Sequence, residues 1–193
     1  MSSLPRPSQK EKILKAALEC FAEMWYEGTR VRHVAQRAEV SEAALYRHYR
    51  SMESLAEELF TEHFLGFAAN LVEATSTGDP ETRLREGVRV TLATYRANPV
   101  GFTFALLRTS TFLPKLPAGT RYPIEIVEGV IVDGQRTGDL RAGQPNVLAA
   151  IFLGSVLQTI VLANLSAPGA LVLIDDLQHD QVIEDAAVAA LKV

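Results

Sequence analysis

Apolar side chains recur at helical spacing along almost the whole chain. Ser8 followed three residues later by Glu11 has the form of a capping box, and it opens a first helix whose Ile13, Ala17, Cys20, Phe21 and Met24 fall on one stripe. Gly28-Thr29 ends that helix. A short second helix is predicted from about Val31 to Ala38, with Val34, Ala35 and Ala38 inward, and Ser41 is placed to cap a third that ends near Tyr49. Ser51 caps a long fourth helix with Leu55, Leu59, Phe60, His63, Phe64, Phe67 and Leu71 along one side. Asp79-Pro80 and Asn98-Pro99 each place a capping side chain before a proline at the first helical position. They frame a fifth helix from about Pro80 to Ala97 and a sixth that begins at Pro99 and carries Phe102, Phe104 and Leu107. After a loop marked by Pro114, Pro117 and Gly119, a seventh helix is expected from about Tyr122 to Arg136. An eighth is opened by Pro145, and a ninth runs from about Leu177 to Leu191. VLI in the connector SAPGALVLIDD has strand character, but no run of alternating strands exists to pair with it. The fold class is all-α.

Composition refines this picture without changing it. A chain that is 48% hydrophobic and 22% charged is of the soluble globular kind. Cys20 is the single cysteine, so an internal disulfide is excluded and a reducing compartment suits the chain. The start, MSSLPRPSQKEK, holds no apolar run and does not resemble a secretory signal. Residues 147–165 carry no charge and approach bilayer-spanning length. Ser155, Gln158, Thr159 and Asn164 interrupt that run, and its flanks, with Arg141 on one side and Asp175 and Asp176 on the other, lack a positive-inside pattern. It therefore reads as a helix buried on most sides, and no membrane partner is expected. The net charge of −4 is unevenly divided: +3 over residues 1–50, with nine Lys/Arg against six Asp/Glu, and −7 over residues 51–193. A mildly basic head on an acidic body suits a chain whose head meets a polyanion.

The second and third helices are joined only by Glu39-Val40-Ser41, a spacing that matches the helix-turn-helix. In VSEAALYRHY, Ala43 and Ala44 are small enough to let the third helix approach base edges, while Ser41, Tyr46, Arg47 and His48 carry donors for phosphates or bases. Leu45 and Tyr49 point back to a core of Val34, Val40 and Phe21. An ordinary packed amphipathic helix shows the same alternation, so spacing alone leaves both readings open. Chemistry of other kinds finds little support. His33, His48, His63, His179 and Cys20 have no metal-ligand spacing, and no phosphate-binding glycine loop, G-x-S-x-G or H-E-x-x-H occurs. Cys20 falls on the inward stripe, where a packed thiol is expected and not a nucleophile. Neither an enzyme nor a bound cofactor or metal is expected.

Residues 13–55 resemble the DNA-binding region of the TetR/AcrR family of bacterial transcriptional repressors. The resemblance is carried by ILKAALECFAE, Tyr26, Thr29, Val31, VAQRA, Val40-Ser41, ALYRHY, and Ser51 with Glu53 and Leu55. It implies a helix-turn-helix DNA-binding domain over residues 1–52 and a helical ligand-binding and dimerisation domain over 53–193. It also implies a homodimer holding two heads at successive major grooves of a pseudo-palindromic operator, in the cytoplasm at the nucleoid. Thr29, Arg30, Val31 and Met52 join Ser41, Glu42, Ala43, Ala44, Tyr46, Arg47 and His48 as expected DNA contacts. Four positions depart from the family pattern. Glu39 stands where glycine is usual, and a non-glycine residue in the left-handed region costs roughly 1–2 kcal/mol. Arg30 replaces a capping threonine, with Thr29 as a possible substitute cap. Met52 replaces a lysine that meets phosphate. Glu42 puts a carboxylate on the recognition helix, either to accept from a cytosine amino group or to repel the backbone.

A ligand-responsive repressor also needs an effector site. Phe64, Phe67, Tyr95, Phe102, Phe104, Phe112 and Tyr122 are candidates to line an apolar cavity, with His63, Arg108 and Gln158 as its polar groups. Ordinary core packing is the alternative for the aromatics. The effector would be a small, largely apolar molecule. Helices eight and nine carry small residues that permit close approach, Ala149, Ala150, Gly154 and Ser155 in one and Ala186, Ala187, Ala189 and Ala190 in the other, and are the expected dimer interface. The stretch SEAALYRHY is also similar to the nucleoid-occlusion members of the family, so a DNA-bound adaptor that recruits a protein partner is the alternative function.

Overall fold

The computed structural model describes residues 7–108, 111–163 and 177–193. Among them are α1 (Gln9–Gly28), α2 (Val31–Arg37), α3 (Glu42–His48), α4 (Met52–Ala74), α5 (Pro80–Ala97), α6 (Pro99–Phe102), α7 (Pro123–Thr137), α8 (Pro145–Ala163) and α9 (Gln178–Ala189). The described residues contain no strand, only an isolated antiparallel bridge between Leu140 and Lys192. The VLI stretch of the connector lies outside the described residues.

Local capping chemistry sets most helix starts. Ser8 Oγ accepts from Glu11 N, and Glu11 returns the bond to Ser8 N, which closes the capping box. Ser41 Oγ accepts from Ala44 N at 3.1 Å, Ser51 Oγ accepts from Ser54 N at 3.1 Å, and Asp79 accepts from Thr82 N at 2.9 Å. α2 starts differently. Thr29 does not cap it; the imidazole Nδ1 of His33 accepts from Arg30 N at 3.2 Å instead. α7 ends at Gly138, whose φ of 83° supplies the left-handed residue of a helix C-terminus. Gly134, one turn earlier, lets Leu140 fold back on the helix, since a Cβ there would sit 2.5 Å from the leucine side chain.

The described residues form two compact units, Met1–Phe64 with Val100–Leu116, and Leu65–Pro99 with Pro117–Val193. In the first, Ile13, Ala17, Cys20, Phe21, Val34, Ala35, Leu45, Tyr49, Leu55 and Phe60 are buried. The segment after α6 joins this core. The α-helix gives way to a wider π-helical stretch at Thr103–Arg108, where the sequence pattern had suggested one continuous helix. Phe104 stacks on Phe21 with centroids 5.1 Å apart, and Phe112 meets Tyr26 edge-on at 5.4 Å and Phe60 at 5.7 Å. Lys115 completes the attachment through ion pairs with Glu53 and Glu57 of α4.

In the second unit, α5, α7, α8 and α9 pack around Leu84, Val88, Leu92, Tyr95, Ile131, Phe152 and Ile160. α9 is fastened to α5 by charge as well as by apolar contact. The Glu184 carboxylate, 3% exposed, accepts from Arg85 Nη1 at 2.7 Å and from Arg89 Nε and Nη2 at 2.8 and 2.9 Å. Arg85 also reaches Glu81 and Asp185, and these carboxylates hold its guanidinium above its ordinary pKa, Glu184 first among them.

Two non-glycine residues of the first unit adopt positive φ. Glu39 has φ 56°, at the position where the resembling family carries glycine. Trp25 has φ 64° and ψ 164°, a region otherwise kept to glycine, and breaks the helical geometry of α1 before its last turn. Glu39→Gly removes a side chain from a left-handed backbone, offset in part by the greater freedom of glycine in the unfolded chain. It is expected to stabilise by about 1 kcal/mol. A urea midpoint that stays put or falls would mean that the Glu39 side chain compensates its own backbone.

Candidate nucleic-acid interface

α2 and α3 are joined by a tight turn in which Ala38 N donates to Val34 O, Glu39 N to Gln36 O and Val40 N to Ala35 O. The buried Val34, Ala35, Ala44 and Leu45 hold the two short helices together. The helical period then divides α3 into faces. Ala44, Leu45 and the following Tyr49 are turned inward, at 4%, 0% and 4% exposure, while Glu42, Ala43, Tyr46 and Arg47 share the outer arc. Burial raises the Tyr49 phenol above its ordinary pKa, with the charge of Glu58 acting in the same direction, so this ring is structural.

The expected DNA contacts separate on this geometry. Ser41, Glu42, Ala43, Tyr46, Arg47 and His48 are exposed on α3 or at its cap. Ala44 is not: its methyl group lies in the core, and only Ala43 offers a small outward side chain. Thr29 is buried too. Its hydroxyl donates to Trp25 O at 2.7 Å and Cys20 O at 3.3 Å, closing the end of α1, and it presents nothing to a phosphate. Arg30 is exposed, with Nη1 donating to Glu27 O at 3.3 Å, and Val31 and Met52 are half-buried at the starts of α2 and α4. His48 meets Gln9 of α1 at 3.1 Å, which ties the end of α3 to the start of the chain's first helix.

Charge availability refines the set. Lys10 is paired with Glu58 at 2.8 Å, and Arg37 with Glu23 at 2.7 Å; the latter hydrogen bond holds the Glu23 carboxyl below its ordinary pKa. Among the described residues, Arg47 and Arg50 make no ion pair, so their guanidinium groups are unengaged. Arg50 was missed by sequence reasoning. It directly follows the inward Tyr49, and the end of α3 was the signal available for it.

Residues 13–59, which run from the second turn of α1 through α2 and α3 into α4, match the model of the bacterial regulatory proteins of the tetR family. The chain also aligns with the uncharacterized HTH-type transcriptional regulator YvkB of Bacillus subtilis (strain 168), 34% identical over 58 residues, which is 30% of each protein. Over residues 13–59 the chain is similar to the tetR family. Alignments to the curated relatives span about a third of those proteins' length. At the level of fold the likeness is nearly complete. The TetR-family regulator PfmR of Thermus thermophilus superposes with a TM-score of 0.70 at 22% identity, over 93% of this chain and 96% of that one. AibR, in a crystal structure with isovaleryl coenzyme A and operator DNA, gives a TM-score of 0.75 at 20% identity, over 96% and 98%.

The expected effector residues are divided between the two units. Phe64, Phe102, Phe104 and Phe112 are buried in the first unit, where Phe104 meets Phe21 of α1, Phe64 meets Phe60 of α4, and Phe112 meets Tyr26 and Phe60. His63, half-buried there, is held below its ordinary pKa by burial. Phe67 and Tyr95 are buried in the second unit, Tyr122 is half-buried and Gln158 is exposed on α8; the side chain of Arg108 lies outside the described residues. A cleft of about 610 Å³ does open in the second unit between the end of α4, α5 and α7, lined by Arg83, Arg121, Glu125, Glu128 and Asp133 among others. None of the expected effector residues lines it. Arg83 crosses the cleft to Asp133 at 2.7 Å, and Arg121 is exposed. Among the described residues no group of three or more His, Cys, Asp or Glu is placed to hold a metal.

Proposed function

We propose that this chain is a homodimeric transcriptional repressor that acts in the cytoplasm and leaves its operator when a small molecule binds the helical domain. The observation that carries this reading is the outer face of α3, where Arg47 is unpaired beside Ala43 and Tyr46 within a region that matches the family model. AibR, with the same fold, is known in complex with both a small molecule and operator DNA, which supports pairing the two activities on one chain. Dimerisation is supported by α8. It is long and apolar enough to cross a membrane by length and composition, yet only 28% of its apolar window is buried in the protomer. Val147, Ile151 and Leu162 are 40–49% exposed on it, with Ala150, Gly154 and Gln158 between them. A second copy covers such a stripe through a helix pair related by a two-fold axis, and the same axis matches the symmetry of a pseudo-palindromic operator. The effector then acts by binding one separation of the two heads more tightly than the other.

Arg47→Ala tests the DNA-binding half of this reading. Loss of one charge-assisted hydrogen bond to phosphate is expected to weaken binding about tenfold or more, equally across sequences. The slope of log affinity against log salt falls by about 1 per head. Fluorescence anisotropy at four salt concentrations reads both quantities. Unchanged affinity and slope would remove Arg47, and the face it occupies, from the interface.

A further inference from the structure

We infer that Glu42 selects a cytosine in each operator half-site. The inference rests on α3 being the recognition helix, and it assigns a base to the residue that fits a polyanion least well.

Glu42 is exposed in the first turn of α3 and, among the described residues, has neither a hydrogen bond nor an ion pair. The start of α3 does not need it, because Ser41 Oγ already accepts from Ala44 N at 3.1 Å. Neither Arg47 nor Arg50 neutralises it. It shares the outer arc with Ala43, Tyr46 and Arg47, so any groove that receives Arg47 receives this carboxylate too. An ionised carboxylate only accepts hydrogen bonds. Phosphate oxygens are acceptors of like charge, which leaves the base edges as its partners. In the major groove the exposed donors are the cytosine N4 and adenine N6 amino groups. Adenine sets its N7 acceptor beside N6, against the second carboxylate oxygen, whereas cytosine sets a C5–H there. Cytosine is therefore the base that a carboxylate at this position accepts from. The small Ala43 next to it lets the helix backbone come close enough for a side chain of this length to reach.

The test is site selection from a random double-stranded pool with the full-length wild type, Glu42→Gln and Glu42→Ala. Residue 42 is exposed, and matching thermal melts establish that all three proteins are folded. The wild type is expected to enrich a motif with one C·G pair per half-site that is preferred about 5- to 150-fold over the other pairs. Glu42→Gln moves that one position to A·T, because an amide pairs with adenine N6 and N7 together, and Glu42→Ala removes the preference there; the rest of the motif stays. A motif identical in all three proteins overturns the cytosine contact and leaves the repressor reading intact. So does a uniform rise in affinity for every sequence in Glu42→Ala, the mark of a carboxylate that only repels the backbone. Failure of the wild type to enrich any motif overturns the repressor reading itself, and the cytosine contact with it.

Discussion

Ile151→Asp is expected to turn the proposed dimer into monomers at micromolar concentration. Ile151 lies at the middle of the exposed α8 stripe, between Val147 and Gly154 and one turn before Ser155, at 49% exposure in the protomer. In a two-fold helix pair that site is covered, and an aspartate there faces its own symmetry copy across an apolar seam. An unpaired carboxylate taken out of water costs several kcal/mol, and two copies repel each other. The dimer dissociation constant is expected to rise at least about 10²–10³-fold, since each 1.4 kcal/mol is a factor of ten. The protomer should keep its melting behaviour, because an exposed substitution away from the core changes stability by about 0.5 kcal/mol at most. Sedimentation velocity separates the outcomes. A wild-type dimer made monomeric by Ile151→Asp places the interface on this stripe. A mutant that still sediments as a dimer moves the interface elsewhere, and a wild-type monomer removes the two-headed repressor altogether.

Glu184→Ala is expected to cost the fold about 3 kcal/mol. Two arginines of α5 converge on this one carboxylate of α9, and Glu184 is almost fully buried while Arg85 is about three-quarters buried. Removing it leaves Arg85 with Glu81 and Asp185, and Arg89 with Glu86, but takes away the buried carboxylate that both arginines share. Breaking a buried pair from one side costs roughly 3–5 kcal/mol, and the half-exposed Arg89, which rehydrates, keeps the figure at the low end. Urea unfolding at fixed protein concentration reads the loss, and the concentration matters because α9 also stands at the proposed interface. Glu184→Gln keeps the shape and part of the hydrogen bonding, and should fall between the wild type and Ala. A midpoint unmoved by Glu184→Ala would mean that apolar contacts alone hold α9 to α5.

Where structure follows from chemistry between near neighbours, the sequence is readable residue by residue. Ser8 with Glu11, Ser41, Ser51 and Asp79 with Pro80 open helices where a capping side chain and a helical stripe coincide. The inward Leu45 and Tyr49 follow from the period of α3 in the same way. Contacts between distant segments are less readable. Nothing in Phe104 or Phe112 announces that they pack on Phe21, Tyr26 and Phe60, because aromatic burial looks alike in a cavity wall and in a core. Thr29 and Ala44 suit a groove by residue type, and their burial depends on how α1 ends and how α2 crosses α3. The α5–α9 seam did leave a trace, in the four-residue spacing of Glu81, Arg85 and Arg89 and in a glutamate on the inward side of VIEDAAVAAL. Matching those two patterns takes the fold itself, since about a hundred residues separate them.

Sequence-specific binding by the head is the claim on which the rest depends. Its most direct measurement is a fluorescence anisotropy titration of a labelled duplex taken from immediately upstream of the coding region, alongside a scrambled duplex, at several salt concentrations. The expected result is saturation at two or more protomers per duplex, affinity that falls steeply with salt, and binding at least about 10³-fold tighter than to the scrambled DNA. Weak binding of equal strength to both duplexes would contradict it.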